Sequence, residues 1–228
     1  MIAPTLDAPD RRHAVQVALF ARAPIPGEAK TRLAARMGIE GAARLQELLI
    51  EHALRTAVDA ALAPVSLWCT PTTAHPAFAQ ARDRYGATLH EQCAGDLGAR
   101  MSHAFSVLCP RAPALLLGTD SPALTAGDLR TAAAALARDE VVVKPAEDGG
   151  YVLIGLRGSI PALFEAIPWG TDRVMAETRE RIRRHGVACR ELAPCWDVDR
   201  PADFERLLRS GLIPDLDSRC NGATERTG

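Results

Sequence analysis

The 228-residue chain predicts an α/β layer fold with a mainly parallel sheet. Short apolar runs alternate with stretches of helical spacing along most of its length. Turn-rich loops separate them, and every motif with chemical character falls just after an apolar run, where α/β sheets hold their ligands. A chain of this length buries roughly 70% of its unfolded surface, so one ordinary core suffices without disulfides or structural metal.

The first run, HAVQVALFA at 13–21, reads as a buried strand, and the loop ARAPIPGEAKTR leads from it into an alanine- and leucine-rich helical stretch over 33–62. Residues 65–69 form the next strand and 77–85 a helix. A helix over 99–108 precedes a buried strand at 114–117, and 125–138 is again helical. Strands follow at 141–143 and 151–156, then a helix over 172–185. The last helix, 201–208, carries proline in its first turn. Residues 1–12 and 214–228 lack an apolar period and read as tails, leaving a body at 13–213.

Composition narrows the function. Twenty-seven basic residues against 28 acidic ones give a net charge of −1, so nothing suggests a nucleic-acid or membrane-surface partner. Two of the basic residues are lysine, Lys30 and Lys144. The longest uncharged stretch, 60–81, is broken by Pro64, Pro71 and Pro76 and cannot span a bilayer. Arg11 and Arg12 imitate the start of an export signal, but the run after them contains Gln16 and stops at Arg22, as a strand would. Six scattered cysteines without a CxxC pair point to reduced thiols and a cytoplasmic setting.

Five loops carry the chemistry. Between Pro24 and Arg32 lie a proline-stiffened turn, Gly27 and the cations Lys30 and Arg32, directly before a helix: a phosphate cradle, or a solvated helix start with outward charges. It is not a P-loop, whose glycines would fall on Pro24 and Ala29. In LLLGTDSP an apolar strand runs into Asp120, placed either to anchor Mg²⁺ or to form an Asx-turn. In KPAEDGGY, Asp148, Gly149, Gly150 and Tyr151 make a turn whose glycines also permit close substrate approach. In WDVDRPAD one of the aspartates favours the helix start, and a second metal ligand is the functional reading of the others. In GDLGARM a tight turn and cap explain the glycines, Gly95 among them, but do not explain Asp96 with Arg100 near the same end. The six histidines form no HxxxH pair, and Ser121 lacks a nucleophile elbow.

Taken in order, FARAPIPGEAKTRLA, GDLGARM, LLLGTDSP, PAEDGGYVLIGL, the Trp169-Gly-Thr171 segment and DVDRPADF resemble the radical-SAM/selenodomain-associated transferases, also known as arsenosugar-biosynthesis-type glycosyltransferases, over about residues 14–210. That family is similar to the GT-A, nucleotide-diphospho-sugar transferase superfamily and to molybdenum-cofactor and phospholactate nucleotidyltransferases. The resemblance implies a single-domain three-layer α/β/α sandwich with a mainly parallel mixed sheet. It also implies a nucleotide site at Ala21, Pro24, Gly27, Lys30, Arg32, Gly95, Asp96, Arg100 and Thr119, and Mg²⁺ or Mn²⁺ on Asp120 and Asp199, with Asp197 as substitute. An acceptor side would comprise Asp148, Gly149, Gly150, Tyr151, Trp169 and Thr171. Arg200 stands where the relatives usually have a capping threonine, which weakens the cap expected beside Asp199. Lys144 matches no part of the family pattern.

The expectation is a metal-dependent transferase acting on a nucleotide or nucleotide-sugar and a small-molecule acceptor, with Lys30, Arg32 and Asp120 as catalytic residues. The basic first loop favours nucleotidyl transfer from an NTP to a phosphorylated acceptor. The family resemblance keeps glycosyl transfer from a nucleotide-diphospho-sugar as the alternative. A non-catalytic nucleotide-binding module is a remote third, since both Asp197 and Asp199 are present.

Overall fold

The computed structural model describes residues 15–62, 64–214 and 216–221. The expected N-terminal tail and the Arg11–Arg12 pair lie outside them. Seven strands form one mixed sheet: β1 (Gln16–Arg22), β2 (Val65–Thr70), β3 (Thr88–Glu91), β4 (Ala114–Gly118), β5 (Val141–Pro145), β6 (Tyr151–Leu156) and β7 (Cys189–Glu191). The helices are α1 (Ala34–Asp59), α2 (Pro76–Tyr85), α3 (Leu97–Leu108), α4 (Ala126–Ala135), α5 (Val174–His185), α6 (Pro201–Ser210) and α7 (Leu216–Asn221). In the order β3-β2-β1-β4-β6-β5-β7, only β6 runs against its neighbours, antiparallel to β4 and β5. The fold is the predicted three-layer α/β sandwich.

Side-chain alternation on the buried strands builds both faces. Leu115 and Leu117 point to one face with Val17, Leu19 and Leu67, under Ile50 and Leu54 of α1, Phe78 of α2 and Leu129 of α4. Leu116, Ala18, Trp68 and Ile154 point to the other, under Met101 and Phe105 of α3 and Ile182 of α5. Each fully buried leucine here contributes roughly 1.5–3 kcal/mol relative to exposure. The apolar density of α1 has a second cause: its outer flank, Leu45, Leu48 and Leu49, is itself covered by Phe204 and Leu207 of α6 and by Leu216 and Cys220 of α7.

The structure differs from the sequence expectation at four places. The first helix is interrupted at Gly38, whose φ of 72° and ψ of 167° are not helical. Strands β3 and β7 have no apolar run behind them: both lie at sheet edges and are mostly exposed, so burial does not select their residues. The expected C-terminal tail instead contains α7, held by the two buried side chains Leu216 and Cys220 against α1. Two apolar contacts on a six-residue helix leave no visible period.

Central packing leaves no room for a side chain at Gly155, which pairs with Leu115 on β4 and Val142 on β5. A Cβ there would lie 2.5 Å from the Leu115 Cδ2 and 2.6 Å from the Val142 Cγ1. Gly155→Ala should therefore overpack the sheet and lower stability by about 1–3 kcal/mol, measured as a lower urea midpoint with an unchanged slope.

Candidate active site

The polypeptide leaves the carboxyl ends of β1, β2 and β4 side by side because β1 is paired in parallel with both β2 and β4. At β1 the sheet order reverses, and in open α/β sheets such a switch point opens a crevice. A cleft of about 560 Å³ lies there, walled by Phe20, Ala21 and Arg22 at the end of β1, Thr70 at the end of β2, Gly118 at the end of β4, and Thr119 and Asp120 just beyond it. Lys30, Arg32, Arg100 and Asp199 complete it.

Lys30 is the centre of this cleft. Its ammonium lies 3.0 Å from the Asp120 Oδ2 and 3.2 Å from the Asp199 Oδ1, and it donates to the Val198 carbonyl at 2.6 Å. Its side chain is 5% exposed. Burial alone would lower its pKa, but Asp120 and Asp199 outweigh that and raise it, so the amine is charged. The backbone at Lys30 has φ 47°, a left-handed conformation that costs a non-glycine residue about 1–3 kcal/mol and persists only where its surroundings impose it. Backbone hydrogen bonds bracket it, from the Leu33 N–H to the Lys30 carbonyl at 2.8 Å and from the Ala29 N–H to the Ile25 carbonyl at 3.0 Å.

The two carboxylates arrive from opposite ends of the chain. Asp120 follows β4 directly, and its carbonyl accepts the Val198 N–H at 2.9 Å, stitching the strand tip to the loop before α6. Asp199 is held from behind: the Asp203 carboxylate accepts its backbone N–H at 3.1 Å and that of Arg200 at 2.8 Å. Arg200 gives α6 no side-chain cap, and Asp203 in the first turn instead fixes the two N–H groups just before the helix. The remaining oxygens are engaged more loosely, Asp120 Oδ1 by the Thr119 hydroxyl and Asp199 Oδ2 by Arg32, both at 3.5 Å.

Two smaller pockets open from the same place. One, about 210 Å³, is lined by Asp148, Gly150, Tyr151, Trp169 and Thr171 together with Arg32 and Asp199. The other, about 380 Å³, brings Asp148, Asp197 and Asp203 beside Trp196 and the same Arg32 and Asp199. Both adjoin the main cleft through Arg32, which is 66% exposed, and through Asp199. Asp197 does not reach Lys30. Burial, reinforced by Asp148, Asp199 and Asp120, pushes its carboxyl up to about 6.

Several expected residues have other duties. Pro24 is buried in the loop, Gly27 provides a φ of 81° in its exposed turn, and neither lines the cleft. Asp96 caps α3 by accepting the Ala99 N–H at 2.8 Å, while the Gly95 carbonyl holds the Arg100 Nε at 3.0 Å. These two act behind Arg100. Gly149, expected on the acceptor side, lies against the chain before α5: its φ is 95° and an added Cβ would overlap the Asp172 backbone. Its carbonyl accepts the Met175 N–H. Lys144 is away from the cleft, paired with Asp128 of α4 at 2.9 Å.

Gln46 and Gln92 are cleft residues that the motifs do not include. Gln46, 4% exposed, reaches the Thr119 hydroxyl at 3.4 Å from the middle of α1. A glutamine among Leu45, Leu48 and Leu49 is its one trace in the sequence. Gln92 donates to the Trp68 carbonyl at 2.8 Å and accepts from Arg100 at 3.3 Å, joining β3 to the cleft.

The carboxylates fit a divalent cation. Asp120 and Asp199 already converge on one positive charge, and Mg²⁺ or Mn²⁺ commonly uses one or two carboxylates plus substrate phosphate oxygens. Among the described residues no group of three or more histidine, cysteine, aspartate or glutamate side chains is arranged to hold a metal without such help. No helix among them is long and apolar enough to cross a membrane.

Comparison with known proteins places the family and supports the fold. Residues 53–171 match the family described as "Uncharacterized protein conserved in bacteria (DUF2064)". No curated protein sequence matches. Among solved structures, a "putative nucleotide-diphospho-sugar transferase" from Desulfovibrio desulfuricans G20 superposes with a TM-score of 0.80 at 26% identity, over 91% of this chain and 97% of that one. The CTP complex of CMP:2-keto-3-deoxy-manno-octonic acid synthetase gives 0.57 at 14% identity, over 86% and 98%. The manganese complex of Rv0371C from Mycobacterium tuberculosis gives 0.55 at 19%, over 86% and 99%.

Two outcomes follow from the site geometry. Gly149→Ala should lower the melting temperature, since the Asp172 backbone must move, whereas a residue that merely lined the acceptor pocket would leave stability unchanged. Asp197 has a folded pKa above its unfolded value, so its ionisation costs stability as pH rises from about 4 through about 6. Asp197→Asn should raise the melting temperature in metal-free buffer at pH 8 and change it little at pH 4; an equal effect at both would show that the carboxyl is not strained.

Proposed function

The chain belongs to the DUF2064 family of bacterial proteins, and we propose that it is a metal-dependent nucleotidyltransferase that moves a nucleoside monophosphate unit from an NTP to a small phosphorylated acceptor. The observation that carries this reading is the pair Asp120 and Asp199, brought from the tip of β4 and the loop before α6 onto one cation in the cleft where an α/β sheet binds its ligand. The CTP complex and the manganese complex among the structural neighbours support it, as does a cleft that also presents Arg22, Arg32 and Arg100.

In this reaction an acceptor phosphate oxygen attacks the α-phosphorus of the NTP, the bond from that phosphorus to the bridging oxygen breaks, and pyrophosphate leaves. Asp120 and Asp199 would hold a divalent metal, which when bound would supply Lewis-acid neutralisation of the phosphate oxygens. Lys30 and Arg32 offset the negative charge that grows on the leaving group, and Arg100 binds on the nucleotide side. The acceptor occupies the pocket of Asp148, Tyr151, Trp169 and Thr171, with Arg32 at its junction with the nucleotide. Gln46 steadies Thr119 and through it Asp120.

The nucleotide-diphospho-sugar transferase named among the neighbours, like the motif resemblance to the radical-SAM-associated transferases, favours a second reading, glycosyl transfer with release of a nucleoside diphosphate. A panel of NTPs and nucleotide-sugars with Mg²⁺, scored by thermal shift and then by product release, separates the two. Pyrophosphate released from an NTP and a sugar phosphate supports nucleotidyl transfer, and tighter binding of a nucleotide-sugar than of any NTP supports glycosyl transfer. Asp120→Asn keeps the side chain's shape and loses its charge, so turnover should fall by at least about a hundredfold with the fold intact. Full activity in that variant would remove Asp120 from the chemistry.

A further inference from the structure

The oxygens that would hold the metal are already occupied by a cation belonging to the chain. Two of them face the Lys30 ammonium, Asp120 Oδ2 at 3.0 Å and Asp199 Oδ1 at 3.2 Å, and the Val198 carbonyl accepts from the same ammonium at 2.6 Å. The other two carboxylate oxygens face Thr119 and Arg32 at 3.5 Å. We propose that Lys30 is a built-in stopper of the metal site, which keeps a free divalent ion out and yields the carboxylates only when nucleotide phosphates arrive to take its charge. This rests on the reading of Asp120 and Asp199 as the metal carboxylates.

The argument is one of charge balance. Two carboxylates held together in a partly enclosed site need a compensating cation, and the ammonium provides it at hydrogen-bonding distance. A divalent ion entering alone must take the carboxylates from that ammonium and leave it buried without a countercharge, which offsets much of what the metal gains. A polyphosphate changes the balance. It offers the ammonium new anionic oxygens, and it brings ligands of its own to the metal, so the metal and the phosphates enter as one unit. A consequence is ordered binding: the protein does not assemble its metal centre without a nucleotide in place.

A lysine that only grips phosphate predicts something different. Its removal would weaken phosphate binding and leave free-metal binding unchanged. A stopper's removal should tighten free-metal binding.

The test is Mn²⁺ alone, titrated into the nucleotide-free protein and followed by electron paramagnetic resonance of the unbound ion. Lys30→Met should bind Mn²⁺ about ten- to hundredfold more tightly than the wild type, the equivalent of one charge-assisted contact no longer in competition. Equal or weaker binding by the variant overturns the proposal. Asp120→Asn is measured in parallel with Mn²⁺ and inorganic tripolyphosphate. If that variant binds Mn²⁺ as the wild type does, the metal reading of the carboxylates is wrong and the stopper falls with it; if Asp120→Asn loses the metal and Lys30→Met gains nothing, the stopper alone is wrong.

Should Lys30→Met not fold, the wild type itself answers. Its two lysines give two signals when the lysine ε-carbon is labelled with ¹³C, and Lys144→Arg removes one to identify the other. The Lys30 signal should stay in place with Mg²⁺ alone and move when tripolyphosphate is added with Mg²⁺. Movement with Mg²⁺ alone at the same concentration, or no movement with both, overturns the proposal.

Discussion

A single buried ammonium organises the functional end of this protein. Lys30 is contributed by the loop after the first strand, and its partners lie 90 residues away at the tip of β4 and almost 170 residues away before α6. Without that charge, Asp120 and Asp199 would repel one another where the backbone brings them together. With it, three loops that share no secondary structure become one surface. The left-handed backbone at Lys30 and the hydrogen bond between Val198 and Asp120 are the local cost and the local reinforcement of the same arrangement.

The rest of the site is arranged around that clasp in a way that follows from the sheet. Because β1 pairs in parallel on both sides, the loops after β1, β2 and β4 all emerge at one end, and the main cleft is theirs. Because β6 runs the other way, the hairpin between β5 and β6 also turns at that end and delivers Asp148, Gly150 and Tyr151 beside it. Arg32 and Asp199 border all three pockets, so a group passing from one ligand to another would do so between them. Asp197, close to three other carboxylates, stays apart from the ammonium and accommodates the crowding by holding its proton more tightly.

The long helix α1 links site and core. Its inner flank packs on the sheet and its outer flank carries α6 and α7, which explains why so much of it is apolar. Gln46, in the middle of this apolar surface, is directed at Thr119. A buried polar side chain needs a partner, and here the need ties the helix to the strand end that bears Asp120.

The residues by themselves determined the elements whose burial repeats locally: the alternating strands and helices, the mainly parallel sheet, and the loops at 24–32, 118–122, 144–151 and 196–203 that bear Lys30, Asp120, Asp148 and Asp199. Those signals are legible because apolar period, proline, glycine and charge act over a few neighbours. Only the tertiary structure decided that Lys30 faces two aspartates, that Gly149 supports α5 instead of an acceptor, that Lys144 pairs with Asp128, and that Gln46 and Gln92 enter the cleft. It also revealed β3, β7 and α7, which are edge or surface pieces with too few buried side chains to show a period. The division has one physical cause: a pattern along the chain reports how much of each segment is buried, whereas the partner of a buried charge is set by which distant segments the sheet order places side by side.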